Sequence, residues 1–351
     1  MRKYGITTCA SILLFCLLVL GGRTTAQSTK GEGIFIRDAA ERSVEVRVPV
    51  KRLAVLTSDA LEVIRALNAE DLVVGVNTGI GRDPLFWPRL KNKPNVGRWN
   101  EPDYELIVAL DPDIVIGYAQ RPGRDMEKKL TPFGITVIRL DFYKIRTLLK
   151  EVEILGRILG RDNEALQLIE WYRQKLKLIQ RQPDNQANPC RVYIESYSKY
   201  HTTGPGSGAH EMCVLAGGYN IASNFSIPYP EITPEWVLAK NPDVIIKAVA
   251  LSNCYAMTDP DPLKSIRKKI LARPAWNNIN AVMQGRVYVM ASDIWTGPRA
   301  IIGTGYLAKW FYPDIFENLN PEELHREYLE RFQRIKYQGV YVYPKEVPKA
   351  R

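Results

Sequence analysis

Between residues 51 and 76 the chain reads KRLAVLTSDALEVIRALNAEDLVVGV, and the spacing of its apolar positions changes twice. The unbroken run Leu53 to Leu56 predicts a strand covered on both faces. Leu61, Ile64 and Leu67 then recur at helical spacing behind a Ser58-Asp59 cap, and Leu72 to Val76 is a second apolar run. Strand, helix, strand, with both strands apolar throughout, predicts a βαβ unit in a buried parallel sheet.

The same kind of pattern returns as an internal repeat. ELIVALDPDIVIG begins at Glu105 and EWVLAKNPDVIIK at Glu235, 130 residues later. Each reads as a short helix, a Pro-Asp turn (Pro112-Asp113, Pro242-Asp243) and a hydrophobic strand. A residue before proline is driven out of the helical region, so the turn falls at the same place in both copies. Helix–turn–strand units are common in α/β proteins, but the matching Glu, Ala, Pro and Asp offsets point to two halves of one design.

Residues 142 to 182 contain no strand pattern. Leu148, Leu149, Val152, Leu155, Ile158 and Leu159 recur at helical spacing, Gly160-Arg-Asp-Asn interrupts, and Leu166, Ile169, Tyr172, Leu176 and Ile179 resume it. This predicts a helical linker between two α/β lobes, stiff enough to favour a small hinge motion over a large one. The second lobe opens with the strand Arg191 to Glu195, after Pro183 to Pro189.

Composition narrows the class. The chain has 351 residues, 48 Lys+Arg against 38 Asp+Glu and 46% hydrophobic residues, which excludes disorder and a multi-span membrane protein. Met1-Arg-Lys, an apolar stretch from Ile6 to Leu20 and small residues at Thr24 and Ala26 predict an export signal over residues 1–26. Its apolar segment is short for a membrane span. Phe15 stands where a lipidation site at Cys16 would need a small residue. The expected location is the periplasm or the outer face of the cytoplasmic membrane. The rest of the chain carries a net charge of +7 without a basic run, which argues against nucleic acid and suits an anionic small ligand. Cys190, Cys213 and Cys254 allow one bridge at most, with Cys213–Cys254 as one pairing, and three His support no Cys/His zinc site.

Several further pieces fall in a fixed order around the repeat: Ile36-Arg37-Asp38 to Pro49-Val50-Lys51-Arg52, Val96-Gly97 before Glu105, LDPDIVI at Leu110–Ile116, Leu215 to Ala222, TPEWVLAKNPDVII at Thr233–Ile246, and Gly285-Arg286-Val287-Tyr288. Together they resemble the iron-chelate and vitamin B12 class of periplasmic solute-binding proteins of ABC importers, over nearly all of the exported chain. The resemblance implies an α/β fold of two Rossmann-like lobes with central parallel sheets, joined by a long helix, with a ligand crevice between them. The boundaries are 1–26 for the signal, 27–141 and 183–351 for the lobes, and 142–182 for the linker. It further implies that Glu105 and Glu235 dock on arginines of an ABC permease dimer served by its ATPase subunits. The alternative for each Glu is a favourable position at the positive end of its own helix.

Aromatic residues fall where strands should hand over to crevice loops. Trp99 follows Val96-Gly97-Arg98, Tyr118 follows the strand ending at Gly117, and Tyr229 precedes the second repeat. The resemblance places them where vitamin B12-binding relatives carry pocket tryptophans, and such faces suit a macrocycle or aromatic chelate. The loop after Glu195 holds Tyr197, Tyr200 and His201, residue types that ligate iron or haem, among glycines that let backbone approach a ligand. Asp293 matches a ligand-contacting Asp of the B12 class; Trp295 lies in the same loop, and Arg299 either meets an anionic chelate or pairs with a local acid. Ala216 and Ala308 replace a Cys pair of the B12 class. These readings lead to a monomeric, non-enzymatic receptor with no resident cofactor, carrying a ferric siderophore or haem, with a corrinoid as the next candidate. A secreted metal-dependent enzyme is the competing class; it requires an acidic or His cluster, which the sequence does not display.

Overall fold

Both sheets are built from strands whose alternate residues enter different apolar layers. The computed structural model describes Met1 and residues 32–180 and 188–348. In the first lobe Leu53 and Val55 face one layer and Ala54 the other; in the second lobe Val192 and Ile194 oppose Tyr193 in the same way. Coverage on both faces is why these strands are unbroken apolar runs in the sequence.

The first sheet runs Val73–Val76, Leu53–Val55, Ile114–Gly117, Thr136–Arg139 in space, all parallel. The second runs Tyr219–Asn220, Arg191–Glu195, Val244–Val249, Val287–Ala291, with Val342–Tyr343 antiparallel on its edge. The expected βαβ unit is present, its helix spanning Ser58–Ala66. Its cap is Thr57, whose hydroxyl accepts from the Ala60 N–H, in place of the expected Ser58-Asp59. A hairpin of Glu32–Arg37 with Ser43–Val48 precedes the first lobe.

The repeat is geometric as well as sequential. The helices Tyr104–Ala109 and Pro234–Lys240 are capped by Asp103 and Thr233, and burial alternates identically along them, with Ile107 and Val237 as the one buried position of each. Asp113 accepts from the backbone N–H groups of Lys51 and Arg52, and Asp243 from that of Arg191. The side chains of Arg52 and Arg191 in turn reach the last carbonyls of the preceding helix, Leu110 with Asp111 and Lys240 respectively. The Pro-Asp turn thus ties each short helix to the start of a neighbouring strand.

The linker is two helices, Ile145–Leu159 and Asp162–Ile179, where the resemblance implies one long one. Gly160, at φ 61°, ends the first in the left-handed conformation that glycine adopts freely. The helices pack so closely that a Cβ on Gly156 would stand 2.5 Å from that of Ala165. One apolar cluster runs from Ile64 in the first lobe through Trp171 and Tyr172 of the linker to Trp310 and Tyr328 in the second. The hydroxyl of Tyr172 also donates to the Pro298 carbonyl at 2.7 Å. This shared core explains why the described residues from Glu32 onward form one compact unit. The expected signal at 1–26 and the linker end at 182 lie outside the described residues. Among the described residues no helix is long and apolar enough to cross a membrane.

Candidate functional site: the crevice between the lobes

The carboxyl ends of both sheets open on one crevice, the position at which α/β sheets hold ligands. Gly117 ends its strand and hands over to Tyr118, whose ring meets Trp99 edge to face at 6.0 Å and Tyr143 at 5.6 Å. Trp99 is 44% exposed, so much of its face is available. Burial raises the pKa of Tyr229 in the second lobe, and the nearby Lys144 ammonium, at the start of the linker, opposes that rise. Burial likewise raises the pKa of Tyr197, and Asp59, Tyr229 and Asp293 nearby add to the rise. The expected residues Trp99, Tyr118, Tyr197, Tyr229 and Asp293 therefore gather at one place, and Tyr143, Lys144 and Asp59 join them. Tyr143 could have been found as an aromatic four residues past the strand Thr136–Arg139, in RLDFYK; Asp59 was hidden by its resemblance to a helix cap.

A recess of about 170 Å³ lies beneath Trp99 and Tyr118, lined also by Ser58, Asn77, Thr78, Arg82 and Arg98. Hydroxyls, two guanidinium groups and the amino end of the helix Ser58–Ala66 give it the character of an anion pocket. Arg98 is partly neutralised by Glu101 at 3.6 Å, an exposed pair.

Asp59 sits between the lobes. It accepts from the Tyr118 hydroxyl at 2.6 Å, and a Cβ on Gly297 of the second lobe would come 2.6 Å from its other oxygen. Burial raises its pKa from 3.8 to about 7, with Glu62 and Asp141 reinforcing the shift and Tyr118 and Arg299 opposing it. A carboxyl with a higher pKa folded than unfolded binds its proton more tightly in the native state. Stability from this group is complete below the unfolded pKa, declines as pH rises to about 7 and then stays low. Water in the crevice screens part of the effect. Asp59→Asn, which keeps the acceptor for Tyr118, should therefore raise unfolding free energy at pH 8 by about 1–2 kcal/mol and leave it nearly unchanged at pH 4. Urea denaturation at the two pH values measures this; an equal change at both would remove Asp59 as the titrating group.

Four expected site residues are placed elsewhere. Trp295 is 5% exposed and belongs to the shared core. Arg299 is buried, pairs with Glu62 at 3.0 Å and Asp293 at 3.7 Å, and lies over the Phe86 ring, which matches its local-acid alternative. Both follow from the loop after Val287–Ala291 folding inward at Gly297, φ 72°. Tyr200 lies under the Arg273 guanidinium beside Trp276, and His201 pairs with Glu231 in a short backbone bridge while its ring meets the Lys199 carbonyl. Glu105 and Glu235 are both exposed.

The three thiols are free and buried, so the Cys213–Cys254 pairing does not form. Burial pushes the Cys190 thiol up to about 11 and those of Cys213 and Cys254 higher still, leaving them protonated and inert. Among the described residues no group of three His, Cys, Asp or Glu could hold a metal ion.

Two parallel-sheet lobes closing on an aromatic and cationic crevice define a two-lobed ligand-binding protein. The chain belongs to the periplasmic binding protein family, which matches residues 53–294. It is 27% identical over 325 residues to the uncharacterized ABC transporter substrate-binding lipoprotein YvrC of Bacillus subtilis, covering 88% of this chain and 97% of that one. It is 24% identical over 359 residues to the molybdate-binding protein MolA of Haemophilus influenzae, covering 93% and 97%. The vitamin B12-binding protein of Salmonella typhi shares 26% identity across 48% of this chain and 64% of that one. Among solved structures, TroA-like FepB from Veillonella parvula superposes with a TM-score of 0.72 at 22% identity, over 88% of this chain and 99% of that one. MolA bound to molybdate superposes at 0.70 with 20% identity, over 88% and 100%. These likenesses establish the fold.

Proposed function

We propose that this protein is the extracytoplasmic substrate-binding component of an ABC importer. It captures an anionic iron(III) chelate, a siderophore or haem, in the crevice and presents it to a permease through Glu105 and Glu235. The observation that supports this reading is the pairing of an aromatic row, Trp99, Tyr118 and Tyr143, with a recess containing Arg82 and Arg98. The rings suit the flat body of a chelate and the guanidiniums its negative oxygens. A corrinoid is the second reading, favoured by the exposed aromatic faces of Trp99 and Tyr229 and by the vitamin B12-binding relative.

The test is a tryptophan-fluorescence titration with a ferric catecholate, a ferric hydroxamate, haem, cyanocobalamin and molybdate. Saturable quenching by an iron chelate or haem supports the proposal, and cyanocobalamin alone favours the second reading. A response to molybdate alone would overturn the chelate reading and bring this chain close to MolA in ligand. Arg82→Ala combined with Arg98→Ala should weaken an anionic ligand on the order of tenfold, the loss shrinking with added salt because the groups are exposed. Binding of a neutral ligand should be nearly unchanged.

A further inference from the structure

In each lobe a buried cation gathers the carbonyl oxygens of the loop that carries a crevice tyrosine. In the second lobe this is Lys247, 7% exposed, on the strand Val244–Val249. Its ammonium donates to the carbonyls of Ser196, of Tyr197 at 3.1 Å and of Ser198 at 3.4 Å, and pairs with Glu195 at 3.2 Å. Glu195 also receives the Arg273 guanidinium at 2.7 and 2.8 Å and the Tyr200 backbone N–H at 3.2 Å. The loop closes tightly around the ammonium, with Tyr200 held at φ 61°.

The first lobe repeats the device with other residues. Arg139, 2% exposed, donates to the carbonyls of Tyr118 at 2.9 Å, Pro122 at 2.6 Å and Gly123 at 3.1 Å, and pairs with Glu127 through both oxygens. Lys247 occupies the repeat position of Gly117, so the two cations are not equivalent in sequence. Arg139 instead stands opposite Gly117 on the neighbouring strand, as Lys247 stands opposite Glu195. The lobes thus reach the same arrangement from different positions.

We propose that Lys247 and Arg139 are positioning residues of the binding crevice, tethered cations that hold the Tyr197 and Tyr118 loops in their ligand-ready form. Inward-pointing carbonyls repel one another and need donors; an ammonium offers three and a guanidinium five, and each is paired here with a carboxylate that a second cation shares. The inference rests on the crevice being the ligand site.

Lys247→Met keeps the length of the side chain and removes the donors. Hydrogen exchange of the amides of residues 196–203 should then speed up by about tenfold or more, while those of the strand Arg191–Glu195 stay protected. Affinity for the ligand found in the titration should fall on the order of tenfold, because buried carbonyls lose their partner. In a Tyr197→Ala background the same substitution should cost almost nothing more, since the two act through one loop. Unchanged loop exchange, or losses that simply add, would overturn the proposal. Exchange is read without ligand, so it decides the positioning role even if all five compounds fail and the transport reading falls. Should Lys247→Met not fold, Arg139→Met gives the parallel reading: exchange at residues 118–123 rises if the guanidinium holds that loop, and a level result overturns the proposal.

Discussion

Glu105→Ala together with Glu235→Ala should reduce ligand uptake in cells to background and leave the dissociation constant of the purified protein unchanged. Both carboxylates are exposed at the second position of short helices whose burial alternates identically. Neither helix touches the crevice through this position, so ligand binding has no reason to respond. Two equivalent acids on two equivalent lobes suit a permease dimer with two equivalent basic sites. The alternative, that each Glu only complements its helix dipole, predicts a different result. It would cost about 0.3–1 kcal/mol of stability per site and leave uptake near wild type. Measuring uptake, affinity and urea midpoint on the same double variant separates the two. A large loss of affinity would remove the docking assignment.

Arg299→Leu should destabilise the protein by about 3–5 kcal/mol, because it strands the carboxylate of Glu62 in the core. The pair is buried on both sides, at 6% and 5% exposure, and joins the loop after the strand Val287–Ala291 to the helix Ser58–Ala66 of the other lobe. Phe86 lies between the guanidinium of Arg299 at 4.4 Å and that of Arg65 at 4.3 Å, so the apolar surroundings offer Glu62 little water. Arg65 is near enough to soften the loss without replacing a direct partner. The double change Glu62→Leu with Arg299→Leu should recover a large part of the stability, since two buried charges leave together. Equal destabilisation of the single and double variants in urea melts would show that Arg299 acts through packing and not through its charge.

Much of the frame was legible before any coordinates. The strands Arg191–Glu195 and Ile114–Gly117 lie where the apolar runs Val192–Ile194 and Ile114–Ile116 place them, because the middle of a strand covered on both faces has to be apolar. Asp113 and Asp243 show why the repeat keeps its Pro-Asp: the carboxylates tie each turn to the start of a neighbouring, earlier strand. Tyr118 follows the parallel strand Ile114–Gly117 directly, at the carboxyl end where α/β crevices open, whereas Trp99 follows the two-residue antiparallel strand Gly97–Arg98.

Trp295 and Arg299 lie away from the crevice for one reason. Trp295 and Arg299 follow a strand as faithfully as Tyr118 does, yet their loop turns inward against Glu62 and the shared core. The carrier of that turn is a contact 237 residues away in sequence, which no local pattern records. The same holds for Gln333 and Arg334, which return from the far end of the chain to bond Glu62 and Arg65. Asp59 and Lys247 also acquire their roles only from neighbours on other elements.

By itself the sequence determined the two-lobed α/β plan and the family, because period, turn chemistry and repetition are local properties of the chain. The tertiary structure alone decided which polar side chains face the crevice and which lock the lobes together. That choice depends on partners brought near by folding, and burial makes a charge with a partner a clasp and a charge without one untenable.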